Sequence, residues 1–168
     1  MSTEPNAPTD FPIGRFAGHA AFAQRVRDAL QWAARDGWHE IIFCDATFEH
    51  WPLQERVVVD ALQAWARPGR RFVMIAHRYD TVQRSHARFV SWRKTWSHLI
   101  ECRACRDVEA TDFPSVLWSS AFAMRQLDLA RNTGVATVEP DRRLQMREVL
   151  DELLRRSSPA FPASTLGL

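Results

Sequence analysis

At 168 residues, 46% of them hydrophobic and 25% charged, the chain has the make-up of one globular domain with its own core, which excludes a disordered polymer and a disulfide-stapled miniprotein. Three cysteines, no apolar run near the roughly 20 residues of a membrane span, and a start, MSTEPNAPTDFP, with no basic or apolar leader segment give the expectation of a reducing, cytoplasmic setting. The net charge of +2 conceals a basic middle: residues 1–66 carry five Arg against nine acids, residues 67–106 ten Arg and Lys against two acids, and residues 107–168 seven Arg against nine acids.

The first 13 residues, rich in proline and without periodicity, read as a flexible arm, and residues 14–168 as a single domain. Phe22, Val26, Ala29, Leu30 and Ala33 recur at helical spacing up to Gly37, which stands where a helix-terminating glycine belongs. EIIFCD (40–45) is the short apolar run of a buried parallel strand. Pro52 opens a second helix that ends at RPG (67–69), and RRFVMIAH (70–77) is a second strand. Asp80 and Gln83 have the spacing of a capping box for a third helix, Thr81 to about Ser97, followed by the strand HLIECRAC. SVLWSSAFAMRQLD reads as two short strands or a hairpin, and VATVE as a last strand. Pro140 opens the final helix, with Leu144, Val149, Leu150, Leu153 and Leu154 toward the core. Beyond it runs an extended tail whose Phe161, Leu166 and Leu168 are available to pack back on the body. The expected class is α/β: a mostly parallel sheet with antiparallel C-terminal strands, flanked by helices.

The stretch SHARFVSWRKTWSH concentrates histidine, cations and tryptophan. On a helical wheel Val82, Phe89, Trp92 and Trp96 gather on one side, and Arg84, Arg88, Ser91 and Thr95 lie opposite. His86 and Arg93 fall on the apolar side. A buried guanidinium needs a partner, so Arg93 is either a structural pair or an anion anchor. His77 ends the second strand and His86 opens the turns that follow. With Arg93 they are the anion-binding candidates, at the strand ends where α/β proteins commonly bind ligands.

Asp45, His50, His77 and Asp80 at the same rim are weaker candidates for a divalent metal or acid–base work, although Asp80 and Asp45 have capping roles open to them. The Cys-x-x-Cys of residues 102–105 lies in a strand with no second ligand pair, and no GxGxxG, Walker or GxSxG pattern occurs, so no cofactor and no metal is expected.

A helix before IIFCDATFEHWPL, an arginine-rich helix after RRFVMIAH, and the ending LLRRSSPAFPASTLGL resemble a family of uncharacterised bacterial phospholipase D-like domains, over about residues 14–168. The resemblance implies one half of a phospholipase D-like fold. Catalytic members of that superfamily carry His-x-Lys-x4-Asp after the third parallel strand, with the histidine as nucleophile. Here that region reads DFPSVLWSSAFAM, without His or Lys, and the nearest echo, His86-Ala-Arg88, lies on a helix.

The expected function is therefore that of a non-catalytic domain binding a phosphate-containing ligand, as a monomer or homodimer. Two alternatives stay open. One is a nucleic-acid-binding module using segment 67–106, which requires Arg70, Arg71, Arg84, Arg88 and Arg103 to converge on one face. The other is a metal-assisted hydrolase built on the strand-end His/Asp cluster.

Overall fold

A computed structural model describes residues 13–163, so residues 1–12 of the expected arm and the tail residues Leu166 and Leu168 lie outside the described residues. In chain order the elements are β1 (Gly14–Phe16), α1 (His19–Asp36), β2 (Glu40–Asp45), α2 (Arg56–Trp65), β3 (Arg71–Ala76), α3 (Asp80–Ser85), α4 (Ala87–Thr95), β4 (Ile100–Ala104), β5 (Val116–Ser119), β6 (Ala123–Asp128), β7 (Thr133–Thr137), α5 (Pro140–Arg155) and β8 (Ser158–Pro159). They form one eight-stranded sheet, in the order β1-β7-β6-β5-β2-β3-β4-β8. Among the described residues no helix is long and apolar enough to cross a membrane.

The α/β class, the parallel strands of the first hundred residues and the antiparallel C-terminal strands all stand. The balance within the sheet differs from the expected one. Only β2–β3 and β3–β4 pair in parallel, and the other five pairings are antiparallel. The difference comes from the hairpin strands and from β1 and β8, which at three and two residues are too short to show a period-two pattern.

Alternation along the strands divides the core into two layers. Ile41, Phe43, Phe72, Met74 and Cys102 face the larger core with α1, α2 and α4, while Ile42, Cys44, Val73 and Ile75 face Phe113, Trp118 and the α5 residues Met146, Leu150 and Leu153. Gly37 ends α1 in the left-handed conformation (φ 68°), its N–H bonded to Ala33 O.

Three helix readings are corrected. The second helix begins at Arg56, because Glu55 is extended (φ −72°, ψ 136°) and Pro52 to Glu55 form a turn. The single helix across the basic stretch breaks at His86 (φ −122°, ψ 55°) into α3 and α4, and Tyr79 takes the N-cap position, with no side-chain cap bond. On α5, Leu144 and Val149 are exposed and Met146 takes the core position. The helix covers only a narrow strip of sheet, which admits Met146, Leu150 and Leu153 at i, i+4 and i+7.

The β1 edge depends on a glycine. A Cβ at Gly134 in β7 would lie 2.3 Å from Arg125 O and 2.4 Å from Cζ of Phe16. Gly134→Ala is expected to cost about 1–3 kcal/mol by forcing the backbone or the Phe16 ring to move. Its urea midpoint should fall, and an unchanged midpoint would show that this edge yields freely.

Candidate functional site at the strand-end rim

The carboxyl ends of β2, β3 and β4 share one rim. Asp45 closes β2, and its Oδ2 accepts from the N–H of Thr47 (3.1 Å) and of Phe48 (2.7 Å), which ties down the following loop. Phe48, wholly buried, has φ 61°, a costly conformation for a residue with a side chain. The Asp45 bonds hold it there from one side. His86 holds it from the other, its Nε2 lying 2.8 Å from Phe48 O. A carbonyl only accepts, so Nε2 carries the proton.

The break between α3 and α4 occurs at the residue that makes this bond, which gives His86 a structural task in the loop after β2. His77 follows β3, with its N–H bonded to Ala46 O (3.0 Å) and its ring edge-on to Phe113 at 6.3 Å. His50 is mostly exposed, beside Glu49 at 3.9 Å and His19 at a ring separation of 4.6 Å. Among the described residues no three His, Cys, Asp or Glu side chains are grouped so as to hold a metal ion. Asp45, His50, His77 and Asp80 therefore do not form the expected cluster, because Asp45 turns to its own loop while Asp80 and His50 face solvent.

The anion candidates His77, His86 and Arg93 share no partner either. Arg93 is only 6% exposed. Its Nη2 donates to Phe161 O (3.2 Å), and its guanidinium lies 5.9 Å from the centre of the Phe161 ring. Nε and Nη1 have no hydrogen-bond partner, and among the described residues no carboxylate is paired with it. The nearby Cys102 thiol does not supply the missing charge: burial pushes it up to about 12, outweighing the downward pull of Arg93.

The five basic surface candidates do not converge. Arg70 donates to Trp65 O and lies over the Trp65 ring, at the opposite end of the strands. Arg71 binds Glu40 (2.7 Å) and Glu101 (3.2 Å), while Arg103 binds Oγ and O of Ser157 (2.9 and 2.8 Å) and Glu101 (3.4 Å). These two form a ladder across β2, β3 and β4 with Arg147, which also pairs with Glu40. Arg84 is exposed on α3, and Arg88 on α4 donates to Gln54 O (3.0 Å).

What the rim does bring together is a pair outside those five. Ala76 and Ala104 are register partners in β3 and β4, and Arg78 and Arg106 each stand two residues further on. Both line a cleft of about 290 Å³ with Tyr79, Asp80, Gln83 and the tail residue Phe161. Neither has a carboxylate partner among the described residues, and Asp80 is the one acid in the cleft's lining. The sequence held a signal for them, the matching strand-end positions in MIAHR and CRACR. The cleft continues into α3 at Gln83, next to Arg84.

No family model matches the chain, and no curated protein matches it. Solved structures do. One is TrmBL2, an archaeal chromatin protein whose structure shows a novel mode of DNA binding, at 15% identity and TM-score 0.66, over 94% of this chain and 57% of that one. Another is NucT from Helicobacter pylori, at 9% identity and TM-score 0.57, over 88% of this chain and 98% of that one. At such identities the likeness is one of fold, and the chain spans little more than half the length of TrmBL2.

Proposed function

We propose that this chain is a phospholipase D-like domain without a nucleophile that holds the phosphate backbone of nucleic acid against the strand-end rim. The observation that carries the reading is the Arg78–Arg106 pair, two cations without carboxylate partners at equivalent positions beyond adjacent parallel strands. Neighbouring strands lie about 4.8 Å apart, so both guanidiniums come within reach of one phosphate group. Arg84 and Arg88 extend the positive charge along the exposed sides of α3 and α4. By contrast, Arg71 and Arg103 are neutralised by Glu40 and Glu101 and take no part.

Support also comes from the fold. Likeness in fold to TrmBL2, a chromatin protein whose structure shows a mode of DNA binding, supports a nucleic-acid partner, and the resemblance in the sequence supports the phospholipase D-like part of the reading. The absence of His and Lys from residues 113–125, which make up the β5–β6 hairpin and its approach, argues for binding without cleavage.

The test is titration of a labelled duplex at a series of salt concentrations. With two to four phosphate contacts, log K should fall linearly against log salt with a slope of about −2 to −4. The labelled strands should emerge uncut. Failure to bind at low salt, or binding indifferent to salt, would overturn the proposal.

A further inference from the structure

Arg93 raises a question that the rim does not answer. A guanidinium shut away from water, with a single neutral carbonyl as its oxygen acceptor, is an expensive arrangement, since buried charge is ordinarily paired. The cost falls at the wall of a second cleft, of about 440 Å³, at the β4 edge. Arg93, Ile100 and Cys102 form one side of it and Pro159, Ala160 and Pro162 of the tail the other. Glu101 also lines the cleft, but its two carboxylate oxygens are taken by Arg71 and Arg103. The cleft thus holds the Arg93 cation, without a carboxylate bound to it, between the engaged Glu101 and the apolar Ile100, Pro159, Ala160 and Pro162.

The tail over it is held by β8, which pairs with β4 through two residues, by the Ala160 N–H bond to Cys102 O (3.0 Å) and by Arg103 on Ser157. Phe161, buried against Tyr79 and with its carbonyl on Arg93, has φ 46° although it is not a glycine. Strain at the residue whose carbonyl occupies the cation marks that carbonyl as the group to be displaced.

We infer that this cleft is a binding site for a small monocarboxylate with a compact apolar body, anchored by Arg93. The carboxylate takes the place of Phe161 O on Nη2 and brings its second oxygen to Nη1, so that a two-point, charge-assisted contact replaces one neutral bond. The apolar body lies against Ile100 and the prolines. A phosphate dianion fits less well, because one guanidinium leaves most of its oxygens without donors in a desolvated wall. The site is separate from the nucleic-acid reading, although residues 160 and 162 wall both clefts.

The probes are benzoate and hexanoate, with inorganic phosphate for comparison, read by thermal shift and calorimetry on the full chain. Both carboxylates should raise Tm of the native protein by binding its folded state. Arg93→Met should weaken them about 10- to 100-fold, the worth of hydrogen bonds to a charged group. Ala160→Trp, which fills the cleft and leaves Arg93 in place, should also abolish the shift and decides the matter if Arg93→Met does not fold. Arg78→Gln/Arg106→Gln should bind the carboxylates as the native protein does, which keeps this test independent of the rim. The inference is overturned if neither carboxylate shifts Tm, if Arg93→Met or a folded Ala160→Trp responds like the native chain, or if phosphate matches benzoate.

Discussion

Replacing Arg78, Arg84, Arg88 and Arg106 together by Gln is expected to lower duplex affinity by about two orders of magnitude near 50 mM salt and to bring the native salt slope of about −2 to −4 close to zero. Each of these side chains is free of any carboxylate partner among the described residues, so each adds its full charge to the potential that a phosphate meets. Arg71→Gln/Arg103→Gln is the matching control. Those cations already face Glu40 and Glu101, so their removal changes net charge but not the phosphate contacts, and the slope should stay as it is. Arg103 is partly buried and also binds Ser157, so the control is compared with the native chain only after its melting temperature shows that it is folded. The rim variant removes four charges and the control two, so equal losses per charge removed would mean that overall charge drives binding, and the rim assignment would fall.

Phe72→Ala is expected to cost about 3–5 kcal/mol, as for other large-to-small changes at buried aromatics. Phe72 is wholly buried on β3, with Phe43 at 4.7 Å, Trp92 at 5.3 Å, Phe89 at 6.2 Å and Trp65 at 6.3 Å between ring centres. Its ring is the common neighbour through which β2, α2 and α4 meet the centre of the sheet. Surroundings this rigid collapse poorly into the space left behind, which places the cost in the upper range. Tm should fall by roughly 10 °C, given about 2–4 °C per kcal/mol for a chain of this size. Val57→Ala on the outer side of α2, where Val57 is 41% exposed, should change stability by less than about 0.5 kcal/mol. A loss below about 1 kcal/mol for Phe72→Ala would show that the aromatic cluster repacks, contrary to its close-packed geometry.

Elements whose pattern repeats over a turn or more were legible without the structure. Alternation of apolar runs with helical spacing placed α1, β2, β3 and the C-terminal hairpin, and the wheel for residues 82–96 correctly buried Val82, Phe89, Trp92, His86 and Arg93 and exposed Arg84 and Arg88. Shorter or locally unfavourable features escaped it. β1 and β8 are too brief to carry a pattern. The break at His86 has no local cause, since its backbone is set by a bond to Phe48, 38 residues earlier. Leu144 and Val149 keep helical spacing and still face outward, because how much of α5 is covered depends on the width of sheet beneath it.

The site divides along the same line. From the sequence alone came the basic block 67–106, the absence of His and Lys from residues 113–125, and a buried arginine in need of a partner. Charge, composition and periodicity are properties of the chain itself, so they could be read there. Which cations remain available was decided by tertiary structure, because the groups that neutralise them come from far along the chain: Glu40 lies 31 residues from Arg71, and Ser157 lies 54 from Arg103. Strand register alone put Arg78 and Arg106 at equivalent positions, and the path of the tail alone gave Arg93 a neutral backbone carbonyl in place of a carboxylate. Pairing between distant residues is fixed only when the sheet forms, and it is that pairing which separates an arginine neutralised by a carboxylate from one that is not.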